Sequence, residues 1–212
     1  LKTEVDERLI RKVAPDAVVV ANSSPYFIPD IPGMNRKNVF TIPMMSKLAQ
    51  VPMKMFGPDK LASMSEKFFP VGKKVLIWGA GAEGAQCAEF MRKRGKEIVL
   101  VAENDDIGGM IPLKYKERIL PWFERKNVQI VRNSTVVEFT KKGAIVRGAD
   151  GSEELIECDS MMVMLPEERD PEFFDMVRSI VPEAYEIGST LGGENAFFKH
   201  AFADGRRVGC LI

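Results

Sequence analysis

Hydrophobic positions change period along this chain, and the changes mark out its elements. Asp6 is placed to cap a short helix over Glu7 to Val13, which Pro15 halts. Asp16-Ala-Val-Val-Val-Ala21 is a continuous apolar run rich in valine, the pattern of a strand buried on both faces. Asn22 to Gly33 carries Pro25, Pro29, Pro32 and Gly33 and reads as an extended crossover loop. Residues 34 to 70 keep no clean period. They hold six of the twelve methionines (Met34, Met44, Met45, Met53, Met55, Met64) among Pro43, Pro52, Pro58 and Pro70. The expectation there is a linker with one or two short helices that covers a neighbouring domain.

The pattern then sharpens. Val75 to Trp78 reads as a buried parallel strand, and Ala85 to Arg94 as a helix that stops at Gly95. Ile98 to Ala102 is a second strand, ending in Glu103, and Asn104 to Ile111 is a loop. Leu113 to Asn127 has a helical apolar period (Ile119, Leu120, Phe123) interrupted by Pro121, and Val128 to Val131 restores a strand. Three short runs, Thr135 to Thr140, Ala144 to Arg147 and Glu153 to Glu157, alternate with Lys142-Gly143 and Asp150-Gly151, which predicts a β-meander. Ser160 to Leu165 is another strand, Pro171 to about Val181 a helix, and Ala184 to Ile187 a last strand ended by Gly188. From Glu194 onward a helix is expected, with Phe197, Ala201, Gly205, Val208 and Ile212 on one face.

This order predicts an α/β chain: a Rossmann-like nucleotide-binding domain with a β-meander insertion, flanked by part of a second domain. The expected division is a partial domain over 1–33, a linker over 34–70, the nucleotide domain over 71–181 and a return segment over 182–212. Composition adds little to this picture but excludes much. With 212 residues, 45% hydrophobic and 28% charged, the chain is an ordinary globular one. Thirty basic and thirty acidic residues cancel, so no nucleic acid and no anionic membrane is expected as a partner. No apolar run is long enough to span a bilayer and the polar start is no signal peptide, so a cytoplasmic location is expected. Cys87, Cys158 and Cys210 are distant in sequence and are expected to be reduced core residues. His200 is the only histidine, which excludes catalytic triads and multi-histidine metal sites, and no metal is expected.

The candidate chemistry lies in Gly79-Ala80-Gly81-Ala82-Glu83-Gly84, a G-x-G-x-x-G between a strand and a helix. The first glycine permits the tight turn, the second lets a pyrophosphate approach the backbone, and the third lets helix pack on strand. The helix N-terminus offers free N–H groups to the anion. Glu103, nineteen residues after Gly84, stands where such folds place the acid that binds the adenosine ribose. Its plain alternative is a solvated strand end. Glu83 suits the helix dipole but would oppose a pyrophosphate if turned inward, so an outward orientation is expected. Trp78 is explained by packing and Asp105-Asp106 by a solvated loop. A methyltransferase also pairs a glycine-rich turn with an acid ending the second strand; the meander argues against it.

With these residues in place, the chain resembles the C-terminal region of the old-yellow-enzyme-like NADH:flavin oxidoreductases, including enoate, dienoyl-CoA and trimethylamine-type enzymes. The resemblance rests on Leu1 to Val5 with Pro15 to Ala21, Ile31-Pro-Gly33, Gly79 to Glu103, Ile107-Gly-Gly109, the meander and Ile187-Gly188. It implies an NADH:flavin oxidoreductase in which an NAD(P) domain is inserted into an FAD domain. It implies NADH at the central loop and FAD at a second site touching Gly188 and Ser189. It also implies that an FMN barrel, a 4Fe-4S cluster and the first FAD-binding glycine loop lie upstream of Leu1, as domains of the same polypeptide. Three segments depart from the family: Ala21-Asn22-Ser23 replaces Ala-Thr-Gly, Met164-Leu165-Pro166-Glu167 replaces a glycine and a Pro-Asn pair, and Gly188-Ser189 replaces Gly-Asp. Gln86 also stands where a glutamate is common. The expected function is therefore hydride transfer from NADH to a flavin serving an enoate-like substrate elsewhere. The alternative is a redox-inactive nucleotide-binding or docking domain with decayed flavin contacts. The chain alone is expected to hold no stoichiometric flavin, and to self-associate as a homo-oligomer through its uncovered valine strand.

Overall fold

The computed structural model describes residues 3–67, 69, 71–109, 111–191 and 198–212. They form two compact units, one of 1–27 with 166–212 and the other of 28–165. In chain order, the first unit opens with α1 (Glu7–Val13) and β1 (Ala17–Val20). The second unit carries β2 (Val39–Thr41), α2 (Ile42–Lys67), β3 (Lys74–Trp78), α3 (Ala82–Lys93), β4 (Glu97–Val101), α4 (Leu113–Arg125) and β5 (Gln129–Val131). It continues through β6 (Ser134–Phe139), β7 (Gly143–Gly148), β8 (Glu153–Glu157) and β9 (Ser160–Val163). The chain then re-enters the first unit with α5 (Glu172–Arg178), β10 (Glu183–Glu186), a 3-10 turn (Gly188–Leu191) and α6 (Phe198–Gly209).

The second unit is a five-stranded parallel sheet in the order β2-β9-β3-β4-β5 with a separate antiparallel meander β6-β7-β8. Strand β3 alternates its side chains between two cores. Val75 and Ile77 face α3 and α4, packing with Ala85, Ala88, Met91, Ile119 and Phe123. Leu76 and Trp78 face the meander and pack with Phe139, Ala144, Val146 and Ile156. A strand covered on both faces must be apolar throughout, which is why Val75 to Trp78 shows no alternation. Trp78 fills its place edge-on to Phe139, with ring centroids 6.2 Å apart.

Two features of this unit differ from the expectation. The stretch 34–70 contains β2, which pairs in parallel with β9 and was not expected, while α2 is two helices joined at a kink, in line with the one or two helices expected there. Pro43 lies in its first turn, where no N–H partner is lost, Pro52 lies within the first of the two helices, and Pro58 directly follows the kink at Gly57 (φ 74°, ψ 169°) that divides them. Helix α3 begins at Ala82, three residues earlier than its alanine run suggested, with Gly81 as N-cap. The glycine loop therefore forms the helix start itself.

In the first unit β1 pairs in parallel with β10. Only Val20 of β1 is buried, and Val19 is 42% exposed, so the strand is not covered on both faces as its composition suggested. Val20 packs with Ile10, Val177 and Val181, and Phe173 and Phe174 border the same cluster. Helix α5 thus packs in this unit. On α6, Val208 is buried and Ala201 and Gly205 are half-buried, as the stripe predicted. Ile212 lies past the helix end and is exposed, and Phe197 lies outside the described residues. Of the cysteines, Cys87 is half-buried and Cys158 buried, but Cys210 is exposed on the last turn, contrary to its expected place in the core. All three are free thiols. Burial pushes Cys87 up to about 12 and Cys158 up to about 11, so neither is a reactive thiolate near neutral pH. No described helix is long and apolar enough to cross a membrane, and no three His, Cys, Asp or Glu residues among the described ones could hold a metal.

Candidate dinucleotide-binding site

The site is built where β3 turns into α3. Gly79 takes φ +104°, a conformation that side chains rarely adopt, and a Cβ there would lie 2.3 Å from the Met164 carbonyl oxygen. At Gly84 a Cβ would lie 1.7 Å from the Gly79 carbonyl oxygen, so helix and turn touch backbone to backbone. These two glycines are required by the chain's own packing. Gly81 is different. Its φ of −65° suits any residue, and a Cβ on it would meet nothing closer than the Glu83 Oε2 at 3.9 Å. The space in front of Gly81 is a cradle that a single methyl group would begin to fill, and no side chain caps the helix there.

The Ala85 N–H is bonded to the Gly81 carbonyl at 3.0 Å. The N–H groups of Ala82, Glu83 and Gly84 precede that first helical bond and have no acceptor within α3. Three such donors, at the positive end of a 12-residue helix, suit an anionic pyrophosphate. The loop after β4 closes the other side. The Gly108 N–H donates to the Ala80 carbonyl at 2.7 Å, and a Cβ on Gly109 would sit 3.7 Å from the Gly81 Cα. Ile107-Gly-Gly109 therefore walls the cradle, a role carried by the loop's two positive-φ glycines. Glu83 is exposed, but its Oε2 stands 3.9 Å from the Cβ position of Gly81, so the carboxylate faces the cradle and not outward as expected, and a pyrophosphate would require it to turn away.

Glu103 lies one residue past Ala102, whose N–H bonds the Val131 carbonyl at 2.8 Å, and its side chain is exposed. Its Oε1 accepts from the Thr135 hydroxyl at 3.1 Å, leaving Oε2 for a ligand. Its acidic neighbours are also tied down: Asp105 accepts from the Asn133 amide at 3.2 Å, and Asp106 pairs with Lys116. Asn133, Thr135 and Lys116 were not identified from sequence as parts of this loop. They come from the turn before β6, from β6 and from α4, and only the fold brings them there.

A second cluster not visible in the sequence stands behind the loop. Glu89 of α3 is buried and receives Arg118 on both oxygens (3.0 and 3.1 Å), Lys93 at 2.8 Å and the Tyr115 hydroxyl. Burial alone would raise its pKa, but the hydrogen bonds from Arg118, Lys93 and Tyr115 outweigh that and bring it down to about 2. This carboxylate locks α4 onto α3 and so fixes the helix that carries the glycine cradle.

The expected second site is in the other unit. Gly188 (φ +66°) opens the 3-10 turn, and its N–H reaches Asp204 Oδ2 of α6 at 3.4 Å. Ser189 lies within that turn. Thr190 is buried, its hydroxyl donating to the Asn22 carbonyl at 2.6 Å, while the Ser24 hydroxyl donates to the Thr190 carbonyl at 2.9 Å. The two segments expected to face a flavin are thus bonded to each other. Ser189 offers a hydroxyl in this turn where the resemblance would place an acid.

A family model described as pyridine nucleotide-disulphide oxidoreductase matches residues 2–174. The chain is 25% identical over 148 residues to cinnamate reductase of Clostridium sporogenes, covering 67% of this chain and 22% of that protein. It is also 25% identical over 171 residues to bilirubin reductase of Mediterraneibacter gnavus, covering 81% of this chain and 23% of that protein. Among solved structures it is similar to 2-naphthoyl-CoA reductase with 2-naphthoyl-CoA, at 24% identity and TM-score 0.71 over 100% of this chain and 29% of that one. It is likewise similar to histamine dehydrogenase from Rhizobium sp. 4-9, at 15% identity and TM-score 0.68 over 97% of this chain and 30% of that one. The structural likenesses show the fold alone. The chain spans less than a third of the length of each of these relatives.

Proposed function

This chain belongs to the pyridine nucleotide-disulphide oxidoreductase family, and from that premise we propose that it is the NADH-binding module of a flavin-dependent oxidoreductase. The observation that carries the reading is the contrast within the glycine loop: Gly79 and Gly84 are filled by the chain itself, and Gly81 is left open. In this reading the N–H groups of Ala82 to Gly84 hold the pyrophosphate, Ala80 and Gly81 give it close approach, and Glu103 accepts from the adenosine ribose hydroxyls. When bound, reduced nicotinamide supplies a hydride to a flavin. The chain's own residues orient the nucleotide and exclude water, and none need act as acid or base. The reduction of an enoate-like substrate, with FMN and an iron–sulfur cluster, would belong to other domains of the same polypeptide.

Glu103 makes the reading testable through cofactor choice. A 2′-phosphate removes a donor and sets negative charge against the carboxylate, costing up to about 4 kcal/mol at an effective dielectric of about 20 before salt and relaxation reduce it. NADH should bind at least about tenfold more tightly than NADPH. Glu103→Ala should narrow the gap mainly by weakening NADH, as read by calorimetric titration. Equal affinities in the wild type would remove Glu103 from the site.

One observation favours a second reading, a nucleotide-binding or docking domain without redox function. The Thr190 and Ser24 hydrogen bonds seal the segments that would otherwise meet a flavin. The two readings separate in the polypeptide that carries any upstream domains: NADH bleaches the flavin absorbance under the first and binds without bleaching it under the second.

A further inference from the structure

We propose that Thr135, on the first strand of the meander, is the positioning residue that sets Glu103 for the ribose and so governs the choice of NADH over NADPH. The inference rests on the reading of Glu103 as the ribose acid. An exposed glutamate at a strand end samples many rotamers, and a ligand that needs one of them must order the side chain as it binds. Here the Thr135 hydroxyl donates to Oε1 at 3.1 Å and leaves Oε2 with open lone pairs for two ribose hydroxyls.

The backbone explains why Thr135 is in reach. The Ser134 N–H donates to the Ala102 carbonyl at 2.9 Å, which pins the start of β6 to the end of β4. Thr135 is then the first residue of β6 beyond that pin. In the meander register it stands opposite Arg147, and Arg147 opposite Glu153. Val136 and Val146, on the other face, are buried in the core. The alternation of β6 therefore turns Thr135 away from the core and toward the acid loop. Asn133 and Lys116 hold Asp105 and Asp106 in the same loop, so each of the three acids has a partner on one oxygen, and Glu103 is the one at the strand end where the ribose is expected.

Thr135→Val removes the hydroxyl and keeps the β-branched shape, while Thr135→Ser keeps the hydroxyl. Each is titrated calorimetrically with NADH and with NADPH, alongside Glu103→Ala and the wild type. Thr135→Val should weaken NADH by about three- to tenfold with NADPH almost unchanged, narrowing the preference by the same factor. Thr135→Ser should restore both. If Thr135→Val keeps the wild-type preference while Glu103→Ala loses it, the positioning role is overturned and the ribose acid stands. A Thr135→Val that weakens both nucleotides equally, or a Thr135→Ser that behaves like valine, also overturns it, since packing would then be the cause. If Glu103→Ala itself leaves the preference intact, the ribose reading has failed and the inference with it.

Discussion

Gly79–Gly84 and Gly188–Leu191 both follow a parallel strand, yet their backbone groups go to different places. After β3 the turn enters a full helix whose first three N–H groups stay unpaired within it, and the space before Gly81 is open. After β10 the turn is short, the Gly188 N–H goes to Asp204, and Thr190 is bonded to both Asn22 and Ser24. A strand-to-turn switch point becomes a binding site only when its donors are left for a ligand. The difference lies in where the donors go: the Gly188 N–H is taken by the Asp204 carboxylate, whereas those of Ala82 to Gly84 have no acceptor within α3.

The largest effect should come from confusing the two kinds of glycine. Gly84→Ala places a methyl against the Gly79 carbonyl, and urea unfolding should show a loss of at least ~3 kcal/mol. Gly81→Ala should unfold within about 1 kcal/mol of the wild type. If both substitutions cost the same stability, the distinction between packed and open glycines is wrong.

Acid should next reveal what holds the open turn in place. Glu89 has a folded pKa of about 2 against roughly 4.3 in an unfolded chain. A lowered folded value means that its contribution is fully present above the unfolded pKa and is lost as pH falls through the folded one. A gap of about two units corresponds to ~3 kcal/mol, given up between about pH 4 and pH 2. Glu89→Gln should be less stable at neutral pH and lack that component of the acid slope in denaturant titrations. An acid slope identical to the wild type would show that the Arg118–Lys93–Tyr115 cluster does not stabilise the fold.

The smallest effect belongs to the closed turn. Thr190→Val breaks its bond to Asn22 and should lower stability by about 1 kcal/mol. NADH affinity should not change, because the closed turn is not its site. A Thr190→Val protein that binds NADH tenfold more weakly would place the nucleotide at the wrong end of this comparison.

Much of this architecture was legible in local patterns. Val75 to Trp78 announced a two-face-buried strand, Lys142-Gly143 and Asp150-Gly151 marked the meander turns, and the glycine spacing named its own turn. What stayed hidden depends on partners distant in sequence. Strand β2 is three residues long and exists because β9, more than a hundred residues away, pairs with it. The extent of α2 was obscured by its prolines, of which Pro43 sits in the first turn, Pro52 within the helix and Pro58 just after the Gly57 kink. Thr135 reaches Glu103 across 32 residues and Arg118 reaches Glu89 across 29, separations at which composition and period carry no signal. The exposure of Val19 agrees with the uncovered valine strand expected from sequence, although the run of valines alone could not show what covers it.

The central claim is that the open cradle at Gly81 takes the pyrophosphate of NADH. The most direct measurement is calorimetric titration of NADH into the wild type and into Gly81→Ala, with circular dichroism showing that both are folded. The account predicts one NADH per wild-type chain and a loss of at least about tenfold in affinity, ~1.4 kcal/mol, in Gly81→Ala. Equal NADH affinity in the two folded proteins, or no binding by the wild type, would contradict it.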